Sequence, residues 1–292
     1  MSKIVVTGGL GFVGNRLVLD LIRNGHHPIL LIRNGQEQVC NDRFGAKVEY
    51  LSLETVIKDG REIDISAVIN LAGKYWFKPN ELEIRSMIES NVALPSLIAD
   101  SVTSGYRKVT WIQASTFMQH FNSSAYDPTC FYAATKQSAE ISLYAFRDRG
   151  LTLKSLVLPH IFGEGDKRNK LLNYLVSQAR DLSPIKVSSG TQIMDLVHVD
   201  DIVSAIQVAL QFDVPAGRYQ ISSNKLITIH QIVDFLTSRT ASDFEVEFDA
   251  KKDRERDTYE IWDCAPPIPT WEPSIELFKW IENQMTSSAD IR

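Results

Sequence analysis

Short apolar runs alternate with longer helix-like segments along the first half of the chain. The runs at 3–7, 28–32, 47–51, 67–73 and 107–113 are rich in Val, Ile and Leu, which is typical of buried strands. The first helical pattern follows residue 11 and meets a helix-stop signal near residues 24 and 25. Strands that alternate with helices in this way are joined by right-handed crossovers into a parallel sheet. The pattern therefore predicts an α/β fold.

The first apolar run breaks into a glycine-rich turn just before the first helix. Gly9, Gly11 and Gly14 match the G-x-G-x-x-G spacing, in which the glycines permit a tight turn, a close approach of the backbone to a pyrophosphate and close packing of helix on strand. The pyrophosphate would lie on the positive end of the helix. We therefore expect a dinucleotide to be bound by this loop, which comprises Gly8, Gly9, Leu10, Gly11, Phe12, Val13 and Gly14.

The ends of the second and fourth strands are also expected to contact the dinucleotide. An acidic residue after the second strand would bind the adenosine ribose of NAD, but Arg33 and Asn34 stand there, and a guanidinium suits a 2′-phosphate. This favours NADP over NAD; the alternative is that Arg33 is a solvated loop arginine. The fourth strand ends in the small residues Leu71, Ala72 and Gly73, past which the cofactor could run.

A second apolar pattern lies downstream, with helical spacing in 171–176 and 229–236 and strand-like alternation in 244–248. We expect the chain to divide in space rather than in sequence. Residues 1–165 and 195–215 would form a Rossmann-type doubly wound parallel sheet that binds the dinucleotide. Residues 166–194 and 216–292 would form a smaller α/β lobe that binds substrate over the carboxyl edge of the sheet.

Composition narrows the function classes. The 292 residues carry a net charge of −5, which gives no electrostatic reason to bind nucleic acid or an anionic membrane. No segment is apolar for long enough to span a bilayer, and glycines interrupt the N-terminal apolar run, so we expect neither an anchor nor a signal peptide. The three cysteines have no metal-like spacing, which favours a reducing cytoplasm and no metal.

A candidate for acid–base chemistry follows the fifth strand. Tyr132 and Lys136 are four residues apart at the start of a predicted helix, so both project from one face of it. A lysine ammonium beside a phenol favours the phenolate, and we expect it to lower the tyrosine pKa toward the working range of a catalyst. Ser115 and Thr116 fall at the carboxyl end of the fifth strand, where ligands of parallel sheets gather.

Taken together, the glycine loop, the Ser115-Thr116 pair and the Tyr132/Lys136 pair resemble the extended short-chain dehydrogenase/reductases, the group of nucleotide-sugar epimerases, dehydratases and reductases. The resemblance implies that Tyr132 is the general acid or base, that Lys136 binds the nicotinamide ribose, and that Thr116, or else Ser115, hydrogen-bonds the reacting oxygen. Further residues fall in the group's cofactor-binding segments, namely Asn91, in the helix after the fourth strand, and Pro159, at the exit of the sixth. Asn91 would tie its helix to the neighbouring strand or else lie partly exposed.

Departures from the group's pattern favour one reaction. Dehydratases of the group follow the hydroxyl pair with Asp-Glu, whereas Phe117 and Met118 stand here and cannot move a proton. Arg33 points to NADP, which cells use for net reductions, whereas epimerases of the group hold NAD. We therefore expect reduction of a nucleotide-linked 4-keto-6-deoxyhexose by NADPH. The alternatives are a nucleotide-sugar epimerase, a reductase of a non-sugar carbonyl, and a dinucleotide-binding regulator without catalysis.

The sequence indicates the residues that would bind the substrate less specifically than those that would bind the cofactor. The group often has an arginine where Met194 stands, and Arg254 or Arg256 could replace it as a diphosphate ligand, unless their charged run is only solvated. His160 either hydrogen-bonds the sugar or a phosphate, or packs within the pocket wall. Relatives of this kind often dimerise through the helix that bears the Tyr/Lys pair, so we expect a homodimer.

Overall fold

In a computed structural model, the structure describes residues 3–60, 62–168, 170–240, 244–260 and 263–286. Twelve strands lie within these ranges: β1 Lys3–Thr7, β2 Ile29–Ile32, β3 Glu49–Ser52, β4 Ile65–Asn70, β5 Val109–Thr116, β6 Leu151–Leu158, β7 His160–Phe162, β8 Ile185–Lys186, β9 Ile193–His198, β10 Gly217–Gln220, β11 Leu226–Thr228 and β12 Val246–Glu247. The α-helices of the described part are α1 Phe12–Arg23, α2 Glu37–Phe44, α3 Leu53–Asp59, α4 Glu81–Ile88, α5 Leu94–Val102, α6 Phe131–Tyr144, α7 Leu171–Arg180, α8 Val199–Leu210, α9 Ile229–Arg239 and α10 Leu277–Thr286.

The larger sheet has seven parallel strands in the order β10-β6-β5-β4-β1-β2-β3. The order reverses between β1 and β4, because the chain runs outward to β3 on one side and to β6 and β10 on the other. A reversal of this kind opens a crevice at the carboxyl ends of the strands, where doubly wound folds bind ligands. The predicted doubly wound α/β fold is confirmed.

Helices cover both faces of this sheet. On one face, Leu17 and Leu21 of α1 and Ile202 of α8 belong to a buried cluster with the sheet. On the other face, Ile98 of α5 and Leu143 of α6 pack with further strand residues. Strands that are buried on both sides read as continuous apolar runs, which is why the sequence pattern locates them so directly.

A smaller lobe lies beside the sheet and has its own core. Strands β11, β9 and β7 form a second sheet, and β12 pairs with β8. The apolar faces of α7, α9 and α10 contribute Leu175, Ile232 and Trp280 to one buried cluster. Because α10 comes from the C-terminal end of the described chain, this cluster is built from widely separated segments.

The expected boundary at residue 216 needs a correction. β10 pairs in parallel with β6, so it is the edge strand of the larger sheet. Ile268 and Trp271 also belong to the core of the larger sheet. We therefore place the start of the lobe's second part after Gln220, with 264–271 returning to the sheet. The strand expected over 244–248 is shorter, and only β12 pairs.

The helix pattern from 80 to 104 is interrupted, and the interruption precedes the proline. α4 passes into one turn of π-helix at Glu89–Ala93, and Pro95 lies in the first turn of α5. Proline has no N–H to donate and its ring crowds the carbonyl four residues earlier, so the preceding turn widens. Asn91 lies in this widened turn. No helix within the described ranges combines the length and apolar content that crossing a bilayer requires.

Candidate active site

The glycine loop lies at the point where the strand order reverses. Gly8 has a φ of +69°, and a Cβ there would lie 2.8 Å from the Ala72 backbone nitrogen. A Cβ on Gly14 would collide with the Gly8 carbonyl oxygen. Both positions therefore require glycine, the first for its backbone conformation and for the close approach of β1 to the end of β4, and the second for the approach of α1 to the loop.

The N-terminus of α1 suits an anion. Its N-cap is Gly11, which offers no side-chain cap, and the first turn has no acidic residue. The amide of Asn15 is the first to bond within the helix, at 2.9 Å from the Gly11 carbonyl oxygen. The N–H groups of the turn before it therefore have no intrahelical acceptor. This end of the helix fits the pyrophosphate of a dinucleotide.

Arg33 lies directly after β2 and is exposed, as is Asn34. The Arg33 backbone amide donates to Gln36 Oε1 at 3.0 Å, which orders the loop. Its guanidinium forms no ion pair with an acidic side chain in the described part of the chain. The side chain is therefore free to meet an anion beside the sheet edge.

The end of β4 is joined to α6 through Asn91. Asn91 is buried, accepts a hydrogen bond from the Lys74 amide at 2.8 Å and donates to the Lys74 carbonyl at 2.9 Å. It also donates to Thr135 Oγ1 at 2.9 Å. A Cβ built on Gly73 would lie 3.6 Å from Lys136 Nζ, so the ammonium lies beside the loop that ends β4. The burial and the bonds favour the tie between helix and strand over an exposed Asn91.

Tyr132 lies in the first turn of α6 and contacts the ring of Tyr75 edge-on, with ring centroids 5.0 Å apart. Burial raises the pKa of Tyr132 above its usual range, with smaller contributions in the same direction from Cys130 and Tyr75, and Arg168 lowers it. We expected Lys136 to lower the pKa of Tyr132. That expectation is wrong, because the surrounding protein raises this pKa. The physical reason is desolvation, which penalises the phenolate.

Lys136 is buried on the same face of α6. Desolvation lowers the pKa of its ammonium to about 8, and the charge of Glu140 opposes that shift. The buried environment therefore affects the two members of the pair in opposite directions. It keeps the phenol protonated and makes the ammonium easier to deprotonate.

The two hydroxyl residues at the end of β5 have different surroundings. The Ser115 hydroxyl donates to Glu140 and also contacts Gln119 Oε1. Thr116 Oγ1 accepts from the Met118 amide at 3.3 Å, so the Thr116 hydroxyl proton is not used in that contact. The sequence left either residue as the candidate, and the contacts favour Thr116 as the hydroxyl available to a ligand.

His160 begins β7 beside the end of β5. Its ring lies 4.5 Å from that of Phe117, and both residues line a small cavity together with Pro159 and His120. Burial lowers the pKa of His160 to about 4, and the nearby charges of Lys170 and Arg254 act in the same direction. At neutral pH His160 is therefore an uncharged hydrogen-bonding group in the pocket wall.

The two candidate arginines differ in their contacts. Arg254 lies over the Phe77 ring at 4.7 Å and is close enough to Tyr75 and His160 to influence their ionisation. Arg256 lies over the Phe121 ring at 4.1 Å and pairs with Asp127. Arg254 therefore faces the group of site residues, whereas Arg256 is held by a carboxylate.

Sequence reasoning missed several residues of this site. Tyr75 contacts Tyr132, Lys170 lies over the Tyr75 ring at 5.3 Å, and Arg168 lies over the Phe12 ring at 4.8 Å. Nothing in the sequence spacing relates these residues to the loop or to α6, because they come from separate connections. Glu140 did have a signal, since it follows Lys136 by four residues and so shares its helix face.

A comparison with protein-family models agrees with this geometry. Residues 4–222 match the NAD dependent epimerase/dehydratase family. The chain belongs to this family. The match includes the glycine loop, the β4 exit, the Ser115-Thr116 pair and α6 of the epimerase/dehydratase fold. It ends just after β10, so the family assignment rests on the sheet rather than on the C-terminal part of the lobe.

Individual epimerase/dehydratase relatives are distant but extend along most of the chain. CDP-abequose synthase of Salmonella muenchen is 24% identical over 263 residues, which cover 89% of this chain and 88% of that protein. A UDP-2-acetamido-2,6-beta-L-arabino-hexul-4-ose reductase of Pseudomonas aeruginosa is 24% identical over 81% of this chain and 58% of its own. The structure of UDP-glucuronic acid 4-epimerase from Bacillus cereus, with UDP-glucuronic acid and NAD, has a TM-score of 0.80 at 18% identity, covering 99% of this chain and 100% of that one.

The glycine loop can be tested directly. Gly14→Ala places a methyl group against the Gly8 carbonyl, so the loop must shift. Overpacking of this kind costs about 1–3 kcal/mol, and we expect dinucleotide affinity to weaken roughly 10- to 100-fold. The measurement is a fluorescence titration with NADPH and with NADH. Gly217→Ala is the control, because its nearest neighbours would lie at 3.6 Å. Equal affinity of Gly14→Ala and Gly217→Ala would contradict the placement of the dinucleotide.

Proposed function

We propose that this protein is an NADPH-dependent reductase of the 4-keto group of a nucleoside-diphosphate-linked 4-keto-6-deoxyhexose. The observation that carries the proposal is the set of side chains around the end of β5. Thr116, Tyr132 and Lys136 offer the groups of a carbonyl reduction, whereas Phe117 and Met118 follow Thr116 and cannot exchange protons. The names of two relatives, a CDP-abequose synthase and a hexul-4-ose reductase, support a nucleotide-linked deoxysugar as substrate.

The reaction direction agrees with the ionisation of the site. NADPH supplies a hydride to the carbonyl carbon when it is bound. Tyr132, whose pKa is raised by burial, stays protonated at neutral pH and donates its proton to the carbonyl oxygen as negative charge develops there. Thr116 donates a hydrogen bond to the same oxygen. The alcohol forms, and the Tyr132 phenolate takes a proton back from solvent.

Lys136 has two roles in this proposal. Its ammonium binds the hydroxyl groups of the nicotinamide ribose, and it stabilises the Tyr132 phenolate that forms after proton transfer. Both roles require the charged form. The lowered pKa of about 8 places the loss of this charge only a little above neutral pH.

Two cations, Arg254 and Lys170, lie on the proposed substrate side of the site, where both influence His160. Arg168 influences Tyr132 but is held by Asp166, whose Oδ1 lies 2.6 Å from its Nε. A diphosphate placed between Arg254 and Lys170 would gain charge-assisted hydrogen bonds, and Arg254 is the side chain best suited to a two-pronged contact. Related enzymes often have an arginine where this chain has Met194, and we infer that these cations replace it. Arg256 supports the loop through Asp127 rather than binding substrate.

The epimerase alternative has support of its own. UDP-glucuronic acid 4-epimerase shares the fold and is bound to NAD in its structure. Purified protein distinguishes the two functions, because an epimerase retains NAD and consumes no NADPH in net turnover. A reductase of a non-sugar carbonyl would consume NADPH without needing a nucleotide on its substrate. A non-catalytic regulator would retain its cellular role after loss of Tyr132.

The reductase proposal predicts a specific loss in Tyr132→Phe. Without the phenol proton, we expect turnover of NADPH with a panel of nucleotide-linked 4-keto-6-deoxyhexoses to fall roughly 100- to 10,000-fold, while NADPH affinity changes little. The measurement is the loss of NADPH absorbance with identification of the product. Tyr50→Phe is the control, because Tyr50 is exposed on β3, at the edge of the larger sheet away from α6. No turnover by the unaltered enzyme across the panel would refute the assignment.

Cofactor preference depends on Arg33. In Arg33→Asp the guanidinium that would meet the 2′-phosphate is replaced by a carboxylate. Loss of a charged hydrogen bond costs about 1.5–3 kcal/mol, so we expect NADPH affinity to fall roughly 10- to 100-fold while NADH affinity is kept or rises. The ratio of the two dissociation constants is the readout, with Arg23→Asp at the end of α1 as control. An unchanged ratio would favour the solvated-loop interpretation and NAD.

We further propose a homodimer in the reducing cytoplasm. Ile141 and Tyr144 are exposed on α6, and Ile88 and Leu97 are exposed on the neighbouring helices α4 and α5. Apolar side chains on adjacent helices suit a four-helix interface with a second copy. Cys40, Cys130 and Cys264 are all free thiols, which supports a reducing compartment.

The dimer proposal predicts a change of mass in Ile141→Glu. A carboxylate in an apolar interface is costly, so we expect light scattering after gel filtration to change from twice the chain mass to the chain mass. Phe212→Glu is the control, since Phe212 is fully exposed away from α6, at the end of α8. A monomeric unaltered protein, or a dimer in both variants, would refute this interface.

A further inference from the structure

A carboxylate is buried directly behind the proposed catalytic residues. Glu140 lies on α6 and is only 3% exposed. Its Oε1 accepts a hydrogen bond from Ser155 of β6 at 2.6 Å and a second one from Ser115 of β5. The two strands are neighbours in the sheet, so one carboxylate oxygen joins α6 to both of them. Burial of a charged side chain is costly unless other groups compensate it.

A cation compensates part of this charge. Arg218 of β10 lies with its Nε 3.6 Å from Glu140 Oε2. The Nε and Nη2 atoms of Arg218 are buried and form no hydrogen bond within the described chain. The pair is therefore held by charge rather than by well-formed hydrogen bonds.

Lys136 is the group on which this charge acts. It lies one helical turn before Glu140, and the charge of Glu140 is the contribution that favours its ammonium form. Without the charge of Glu140, the effect of desolvation on the pKa of Lys136 would be unopposed. The carboxylate therefore opposes the effect of burial at the residue that the reaction needs charged.

Glu140 also binds one of the two candidate hydroxyl groups. The Ser115 hydroxyl is directed at Glu140 and Gln119, and Gln119 Oε1 in turn accepts from the Thr116 amide at 3.1 Å. Ser115 is thus held below the site by groups on α6 and in the turn after β5. Thr116, the next residue along an extended strand, points to the opposite side.

We propose that Glu140 is a positioning residue of the active site: it joins α6 to β5 and β6, holds Ser115 away from the substrate so that Thr116 is presented, and places a carboxylate one helical turn from Lys136. The inference rests on the proposed function for the roles of Thr116 and Lys136. It goes beyond that function because Glu140 lies behind Ser115 and has no part in the proposed hydride and proton transfer.

Other ionisable groups lie near Glu140, and a test must distinguish their effects from the effect of Glu140. Arg218 from β10, His120 after β5 and Cys264 from the C-terminal segment lie around Glu140, since its charge also influences His120 and Cys264. Tyr132 lies on α6 itself, and Lys74 follows β4. The charged residues of α4 and α5 are exposed or only half-buried; Arg85 pairs with Glu81, and Asp100 pairs with Arg149.

The test compares the pH dependence of NADPH binding, followed by fluorescence between pH 6 and 10, in the full-length enzyme and in Glu140→Gln. In the unaltered enzyme we expect affinity to weaken above about pH 8, where Lys136 loses its proton. Removal of the carboxylate charge destabilises the ammonium, so in Glu140→Gln the inflection moves to lower pH, by about one unit. The basic limb of the turnover profile moves with it.

Ser155→Ala is the matched control. It removes one hydrogen bond to the same carboxylate but no charge, so the inflection should stay at the pH of the unaltered enzyme. If Glu140→Gln folds and the inflection of its NADPH affinity stays at the pH of the unaltered enzyme, the charge role is overturned, regardless of the turnover rate of the variant. An unaltered enzyme that binds no NADPH would instead overturn the proposed function, so the two failures are distinguishable.

A second pair of variants covers the case in which Glu140→Gln does not fold. If Glu140 holds Ser115 away from the substrate, Thr116→Val should reduce turnover at least tenfold more than Ser115→Ala. Equal losses in the two variants, or a greater loss in Ser115→Ala, would overturn the positioning role. Thermal unfolding of each variant shows whether the loss arises from the site or from stability.

Discussion

The structure depends on the close approach of two backbone segments at the point where the strand order of the larger sheet reverses. The turn after β1 passes so near the end of β4 that a side chain at Gly8 would overlap the Ala72 backbone. Thr7 reinforces this contact, because its hydroxyl accepts from the Ala72 amide at 3.1 Å. The crevice, the exposed N-terminus of α1 and the position of Lys136 beside Gly73 all follow from this approach. The dinucleotide site is therefore a consequence of how β1 and β4 pack.

Burial has opposite consequences for the two neighbours on α6. The same low-polarity environment keeps the Tyr132 phenol protonated and weakens the hold of Lys136 on its proton. For a reductase, a protonated tyrosine is the required starting state, since the proton moves toward the substrate. A charged lysine must then be secured by another group, and the buried Glu140 is placed to do so. In the proposed site, this single carboxylate opposes the effect of desolvation on Lys136.

Three cations from around the smaller lobe lie close to the proposed site. Arg168, Lys170 and Arg254 come from connections around the lobe and surround aromatic rings of the sheet domain. The rings lie under these cations, and Arg168 is also paired with Asp166 at 2.6 Å. In the proposed reaction, hydride and proton transfer would take place at the edge of the larger sheet, and the anionic substrate would be recognised from the smaller lobe.

The sequence by itself determined the architecture and identified the candidate site residues, because both depend on local patterns. Continuous apolar runs mark strands buried on both faces, and the glycine spacing and the Tyr132/Lys136 spacing lie within single turns or helices. Only the tertiary structure decided that β10 joins the larger sheet, that Ser115 is engaged by Glu140, and that Arg254 rather than Arg256 faces the site. Those outcomes depend on which distant segments meet and on how much water they exclude. Spacing along the chain carries no information about either, and for the same reason the direction of the Tyr132 pKa shift followed from burial rather than from its neighbour in the sequence.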